Sequence, residues 1–166
     1  TRCTRIDYAV DDIHFDDEVP LLTMRKIHNC VKNREFRSRF ICCRPLGKQC
    51  IDVSDDSSAK GDSSKGSTIY FGVNHSDISC RFYDKLLEQR YNKGAHVDEN
   101  ITSWVRCEFE FHNSKASSVF NDFCDMEEDV FSVLMCEVFN NYLTFIKKDD
   151  VNRSRCSVKR WWASFM

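Results

Sequence analysis

The run Arg81-Phe82-Tyr83-Asp84-Lys85 sets one tyrosine between two cations, each two residues away. Side chains of an extended strand alternate, so Arg81, Tyr83 and Lys85 fall on one face. By the same rule Glu108 and Glu110 share a face in Arg-Cys-Glu-Phe-Glu-Phe, and Asp7 and Asp11 share one in Thr-Arg-Ile-Asp-Tyr-Ala-Val-Asp. A hydroxyl, a cationic pair and two carboxylate pairs suit metal-assisted attack of a phenol oxygen on a phosphodiester. A phenol with a pKa of about 10 is a poor nucleophile at neutral pH. Positive charge must therefore stabilise the phenolate and the charge developing on phosphorus. The plainer fate of a strand tyrosine is packing with a hydrogen-bonded tip.

Asp7 and Glu108 each sit between apolar neighbours, where an unpaired acid is costly to bury. Such acids either pair with a nearby Arg5 or Arg106, face solvent, or hold a hard cation. Oxygen ligands select magnesium, manganese or calcium over zinc. No two of the five histidines are separated by a single residue, so a His-x-His metal motif is missing. His112, just beyond Glu-Phe-Glu, is the histidine placed to act as a ligand or proton shuttle. Near the C-terminus, Arg153, Arg155, Lys159 and Arg160 adjoin Trp161 and Trp162. Cations beside flat rings can hold phosphates and stack bases. Alternatively, the tryptophans dock on the domain and the cations snorkel outward.

The elements that must position these residues follow from periodicity. Strands are expected at 3–11, 35–43, 68–74, 78–84 and 101–112. Helices are expected from Pro20 to about Lys32, from Lys85 to Tyr91, and at 115–125 and 127–146, the last with Phe131, Leu134, Val138, Tyr142 and Phe145 as its apolar stripe. Asn74-His75-Ser76-Asp77 reads as a turn, and the acidic, Ser-rich stretch 52–66 as a flexible hairpin loop. The outcome is an α+β fold: a mostly antiparallel sheet of about five strands flanked by helices.

At 166 residues the chain fits a single domain with a real core, and it begins with Thr1, as a piece of a longer protein would. No apolar run is long enough to span a membrane, and charges from Arg2 onward argue against a secretory signal. Ten cysteines without a Cys-x-x-Cys pair read as reduced structural thiols, with Cys80, Cys107, Cys124 and Cys136 in apolar patterns; that points to the cytoplasm. The formal charge of −2 hides acid clusters at 11–18 and 52–62 and basic ones at 34–44 and 147–160, so a local basic groove is compatible with it.

Taken in order, Thr4-Arg-Ile-Asp7-Tyr-Ala-Val-Asp11, Tyr70-Phe-Gly72, Arg81-Phe-Tyr83-Asp-Lys85 with Glu88, Trp104-Val-Arg106-Cys-Glu108-Phe-Glu110 and Ser154-Arg-Cys-Ser-Val-Lys-Arg-Trp-Trp162 resemble the trans-acting replication initiation factors of rolling-circle plasmids. Related proteins are relaxases of conjugative transposons and initiators of some filamentous phages. The resemblance implies a nicking and religating enzyme in which Tyr83 attacks an origin phosphodiester and keeps the 5′ phosphate. It implies a divalent magnesium or manganese ion held by Asp7 and Glu108, with Asp11 and Glu110 as alternatives, and Arg81 and Lys85 on the scissile phosphate. Single-stranded or cruciform origin DNA is the implied partner. A second copy of the chain and a host helicase are further partners it leaves open. The 52–66 insertion and the cysteine load depart from the family pattern.

Overall fold

The computed structural model describes residues 3–40, 68–73, 76–92 and 96–166. The expected loop at 52–66, Cys42, Cys43, Arg44, and the turn residues Asn74 and His75 lie outside them. In chain order the elements are β1 (Arg5–Phe15), α1 (Met24–Lys32), β2 (Phe36–Ser38), β3 (Thr68–Phe71), β4 (Ile78–Asp84), α2 (Lys85–Leu87), β5 (Ile101–His112), α3 (Asn113–Asp125), α4 (Glu128–Tyr142), β6 (Leu143–Phe145) and α5 (Arg160–Phe165). A π-helical turn, Glu88–Asn92, follows α2.

Four strands form an antiparallel sheet in the order β1-β5-β4-β3, and β2 pairs with β6 in a separate two-stranded sheet. The α+β reading therefore holds, with the strands divided between two sheets. One face of the large sheet is apolar. Cys107, Phe109 and Phe111 of β5, Cys80 and Phe82 of β4, and Ile69 and Phe71 of β3 are buried there. They meet Phe139 of α4, Phe145 of β6 and Trp162 of α5; the Phe109 and Phe139 rings stack at 3.7 Å and Phe82 lies 5.9 Å from Phe145. The other face carries the polar positions of the same strands.

Several boundaries differ from expectation, each for a local reason. Residues 20–23 are not helical: the Leu22 amide donates to the buried Asp12 carboxylate at 2.7 Å, and the Pro20 and Leu21 carbonyls accept from Lys26 Nζ. The helix starts at Met24 because the Thr23 hydroxyl caps it, accepting from the Lys26 amide. Strand β3 stops at Phe71 because Gly72 turns the chain at φ +101°, where a Cβ would lie 3.1 Å from the Ser79 backbone. Helix α4 ends at Tyr142, since Leu143–Phe145 is drawn into pairing with β2, with Phe145 opposite Phe36. The last residue of the expected helical stripe is thus a strand residue. Cys124 is exposed on α3, contrary to its apolar reading, whereas Cys80 and Cys107 are buried as neighbours, sulfurs 4.0 Å apart.

Candidate active site on the polar sheet face

Register brings the candidate residues together in rows. Arg81 lies opposite Glu108, and Ala9 lies opposite Glu108 from the other side. Tyr83 lies opposite Arg106, which in turn lies opposite Asp11. Asp7 lies opposite Glu110. Alternation places all of these on the face away from the apolar core.

Glu108 is the centre of the arrangement. It is only 5% exposed, yet both its oxygens are engaged. Arg81 Nε donates to Oε1 at 2.9 Å, with a second, shorter contact from the same guanidinium, and the Tyr83 hydroxyl donates to Oε2 at 3.0 Å. The Tyr83 ring is clasped between cations: Arg81 Cζ is 5.3 Å and Lys85 Nζ 5.5 Å from its centroid. Burial, then the charge and hydrogen bond of Glu108, push the phenol up to about 12. Lys85 lies just past β4, where a helix was expected to start, so it reaches the Tyr83 ring from a helical turn and not by strand alternation. It begins α2, which the Asp84 side chain caps at the Leu87 amide, and from there its buried ammonium reaches both the ring and Glu88.

Asp7, Glu108 and Glu110 each offer an oxygen within 4.8 Å of the others. The plainer pairing of Asp7 with Arg5 is also present: Arg5 donates to both Asp7 oxygens at 2.8 and 2.7 Å and reaches Glu110 at 3.3 Å. Glu108 takes Arg81 rather than Arg106. Three carboxylates from two strands form a hard-oxygen donor set of the kind that magnesium or manganese accepts. That chemistry fits an ion, with the guanidinium of Arg5 balancing the charge. His112 Nε2 stands at the rim, 3.5 Å from Glu110.

Asp11 is placed differently from its expected role as an alternative ligand. Arg106 Nε and Nη2 donate to its two oxygens, both at 2.7 Å, and it lies outside the triad. Burial raises its pKa, but hydrogen bonds from Arg106 and Trp104 and the charges of Arg106 and Lys85 together outweigh this and hold the carboxyl below its usual range. Arg106 was missed as a site residue, although the period of two that selected Glu108 and Glu110 selects it as well.

The C-terminal cluster divides. Trp162 is fully buried against Phe145 and Phe82, and its Nε1 donates to Asn140 at 2.8 Å, so it has no ring face for base stacking. Its fused rings carry too much apolar area to leave wet once α5 docks on the core. Trp161 is half-buried on Phe145. Lys159 pairs with Glu35 at 2.6 Å, and Arg153 donates to the Arg34 and Phe36 carbonyls. Arg155 and Arg160 are exposed, and Arg34, Lys148 and Arg153 line an open depression. These cations belong to the layer of β2 and β6, not to the face that bears Tyr83.

An antiparallel sheet displaying a cation-clasped phenol beside three convergent carboxylates has the parts of a phosphodiester-transfer site. The chain belongs to the replication initiation factor family, whose sequence profile matches residues 1–166. It is 24% identical over 168 residues to a putative DNA relaxase, NicK, of Bacillus subtilis (strain 168), covering 98% of this chain and 42% of that protein. Its fold is similar to that of a rolling circle replication initiator protein from Geobacillus stearothermophilus, with a TM-score of 0.69 and 28% identity over 99% of this chain and 54% of the other. The chain thus spans about half or less of the length of these relatives.

Proposed function

We propose that residues 1–166 form the catalytic domain of a DNA nicking and religating enzyme that initiates rolling-circle replication or conjugative transfer. The observation that carries this reading is the contact of the Tyr83 hydroxyl with Glu108, a member of the carboxylate triad. Tyr83 is the nucleophile. Its oxygen forms a bond to the scissile phosphorus as the bond to the 3′ oxygen breaks, leaving a 5′-phosphotyrosine and a 3′ hydroxyl. Glu108 Oε2 is the acceptor positioned to take the phenolic proton. Arg81 and Lys85, already against the ring, steady the phosphate. Storing the phosphodiester energy in the tyrosyl link makes the step reversible, so religation needs no nucleotide.

Asp7, Glu108 and Glu110 would hold a divalent cation, magnesium or manganese, which when bound polarises the phosphate and offsets the negative field around the phenol. Asp11 holds Arg106 instead. Single-stranded or cruciform DNA is the substrate class, with Arg153, Arg155, Arg160 and Lys159 contributing phosphate contacts on another surface. No helix among the described residues is long and apolar enough to cross a membrane.

The test is covalent capture. Protein, manganese and single-stranded oligonucleotides tiling the element that encodes the chain are incubated and resolved under denaturing conditions. Wild type should give a protein–DNA adduct that Tyr83→Phe abolishes. Equal adduct from both proteins refutes the assignment, and protein-free nicks persisting in Tyr83→Phe indicate water as the nucleophile.

A further inference from the structure

We propose that Trp104 and Ile13 form a nucleobase subsite, holding the base of a nucleotide that neighbours the scissile phosphate. The inference rests on the nicking reading above and names how the substrate strand is seated. Ile13 and Trp104 are direct cross-strand partners on β1 and β5. Alternation puts them on the polar face, two residues along from Asp11 and Arg106, a step of about 7 Å on an extended strand. Along β5 this face therefore reads Glu110, Glu108, Arg106, Trp104. The sequence of chemistries is carboxylate cluster, then the cation opposite Tyr83, then an apolar step. A single strand lying along β5 with its phosphate at Tyr83 brings an adjoining base over Trp104.

Two features separate this pair from ordinary sheet packing. Ile13 is 38% exposed next to the charged pair Asp11 and Arg106, and Trp104 is half-buried. Trp161 and Trp162 each lie against other rings, whereas Trp104 has no aromatic partner among the described residues; its buried Nε1 faces the Asp11 carboxylate, which anchors the indole and leaves stacking to the ring face. An indole edged by aliphatic carbon and flanked by a fixed guanidinium matches what base stacking uses, and stacking tolerates any base.

The experiment is a double-mutant cycle between protein and DNA. Tyr83→Phe protein, which cannot turn over, is titrated with labelled oligonucleotides of the captured sequence, in which a single abasic residue is walked past the nick. Binding is read by anisotropy. One abasic position beside the nick should weaken binding roughly 5- to 150-fold, the range for a single base–aromatic stack. That penalty should vanish when Trp104→Leu is added and return in part with Trp104→Phe. An equal penalty with Trp104 and with Leu at every position overturns the subsite, while a Tyr83-dependent adduct from the parent protein leaves the nicking reading standing. Absence of any adduct overturns the nicking reading and the subsite with it.

Discussion

Asp11→Asn separates two roles that sequence alone could not separate, ion ligand and holder of Arg106. Asparagine keeps the shape and removes the charge that two guanidinium hydrogen bonds at 2.7 Å depend on. Exposed ion pairs contribute about 0.2–1 kcal/mol, and breaking a buried one costs about 3–5 kcal/mol. Here the side chains are 24% and 26% exposed, so the expected loss lies between, at about 1–3 kcal/mol. Linkage supplies a signature. The Asp11 pKa is lower in the folded chain than its ordinary 3.8, so its stabilisation is complete above that value and disappears as pH falls through the folded pKa. Urea unfolding of wild type and Asp11→Asn should therefore differ by the full amount at about pH 7, and the gap should close only as the pH falls below 3.8 and through the lower folded-state pKa. Adduct formation should fall as Arg106 loosens beside Tyr83, while manganese affinity stays at the wild-type value. A stability gap that ignores pH, or a loss of manganese binding, would refute the reasoning and return Asp11 to the ion's ligands.

Asp7→Asn and Glu108→Gln, by contrast, should each weaken manganese binding by more than about tenfold, read from the free-ion signal in electron paramagnetic resonance. Phe82→Ala should cost about 3–5 kcal/mol in denaturant unfolding, because the ring is fully buried against Phe71, Phe145 and Trp162. Trp162→Phe should lose about 1–3 kcal/mol with the hydrogen bond to Asn140 and leave single-stranded DNA affinity unchanged in a filter-binding assay.

The strand-borne part of the site was legible because a period of two needs no knowledge of the fold. Tyr83, Arg81, Glu108, Glu110 and Asp7 could be put on faces from spacing alone, and the structure places those faces on one side of one sheet. What spacing cannot supply is which strand neighbours which. Asp11 and Asp7 look equivalent in sequence; only the register that sets one opposite Arg106 and the other opposite Glu110 tells them apart. Helix ends were lost to tertiary contacts. Thr23 outcompetes Pro20 as the start of α1 because Asp12, ten residues earlier, ties down the Leu22 amide. Trp162 defeated composition altogether. A tryptophan beside basic residues reads equally as a stacking platform or a core anchor, and only the docking of α5 on Phe145 decides.

The pairing of β1 with β5 is a sign that this face was not shaped for stability. The apolar pattern of β5, with Val105, Cys107, Phe109 and Phe111 at most 4% exposed, fixes register only to within two residues, since an even slip keeps every side chain on its own face. Absolute register must come from cross-strand complementarity. Arg81 opposite Glu108 and Asp11 opposite Arg106 supply it. Asp7 opposite Glu110 does the reverse, because like charges directly across a ladder are destabilising. Arg5 must reach across both to make the pair tolerable. A neutral residue at either position would spare the sheet that repulsion and free Arg5 from bridging it. Retaining the two carboxylates makes physical sense where a cation is to be gathered next to Glu108 and the phenol it touches.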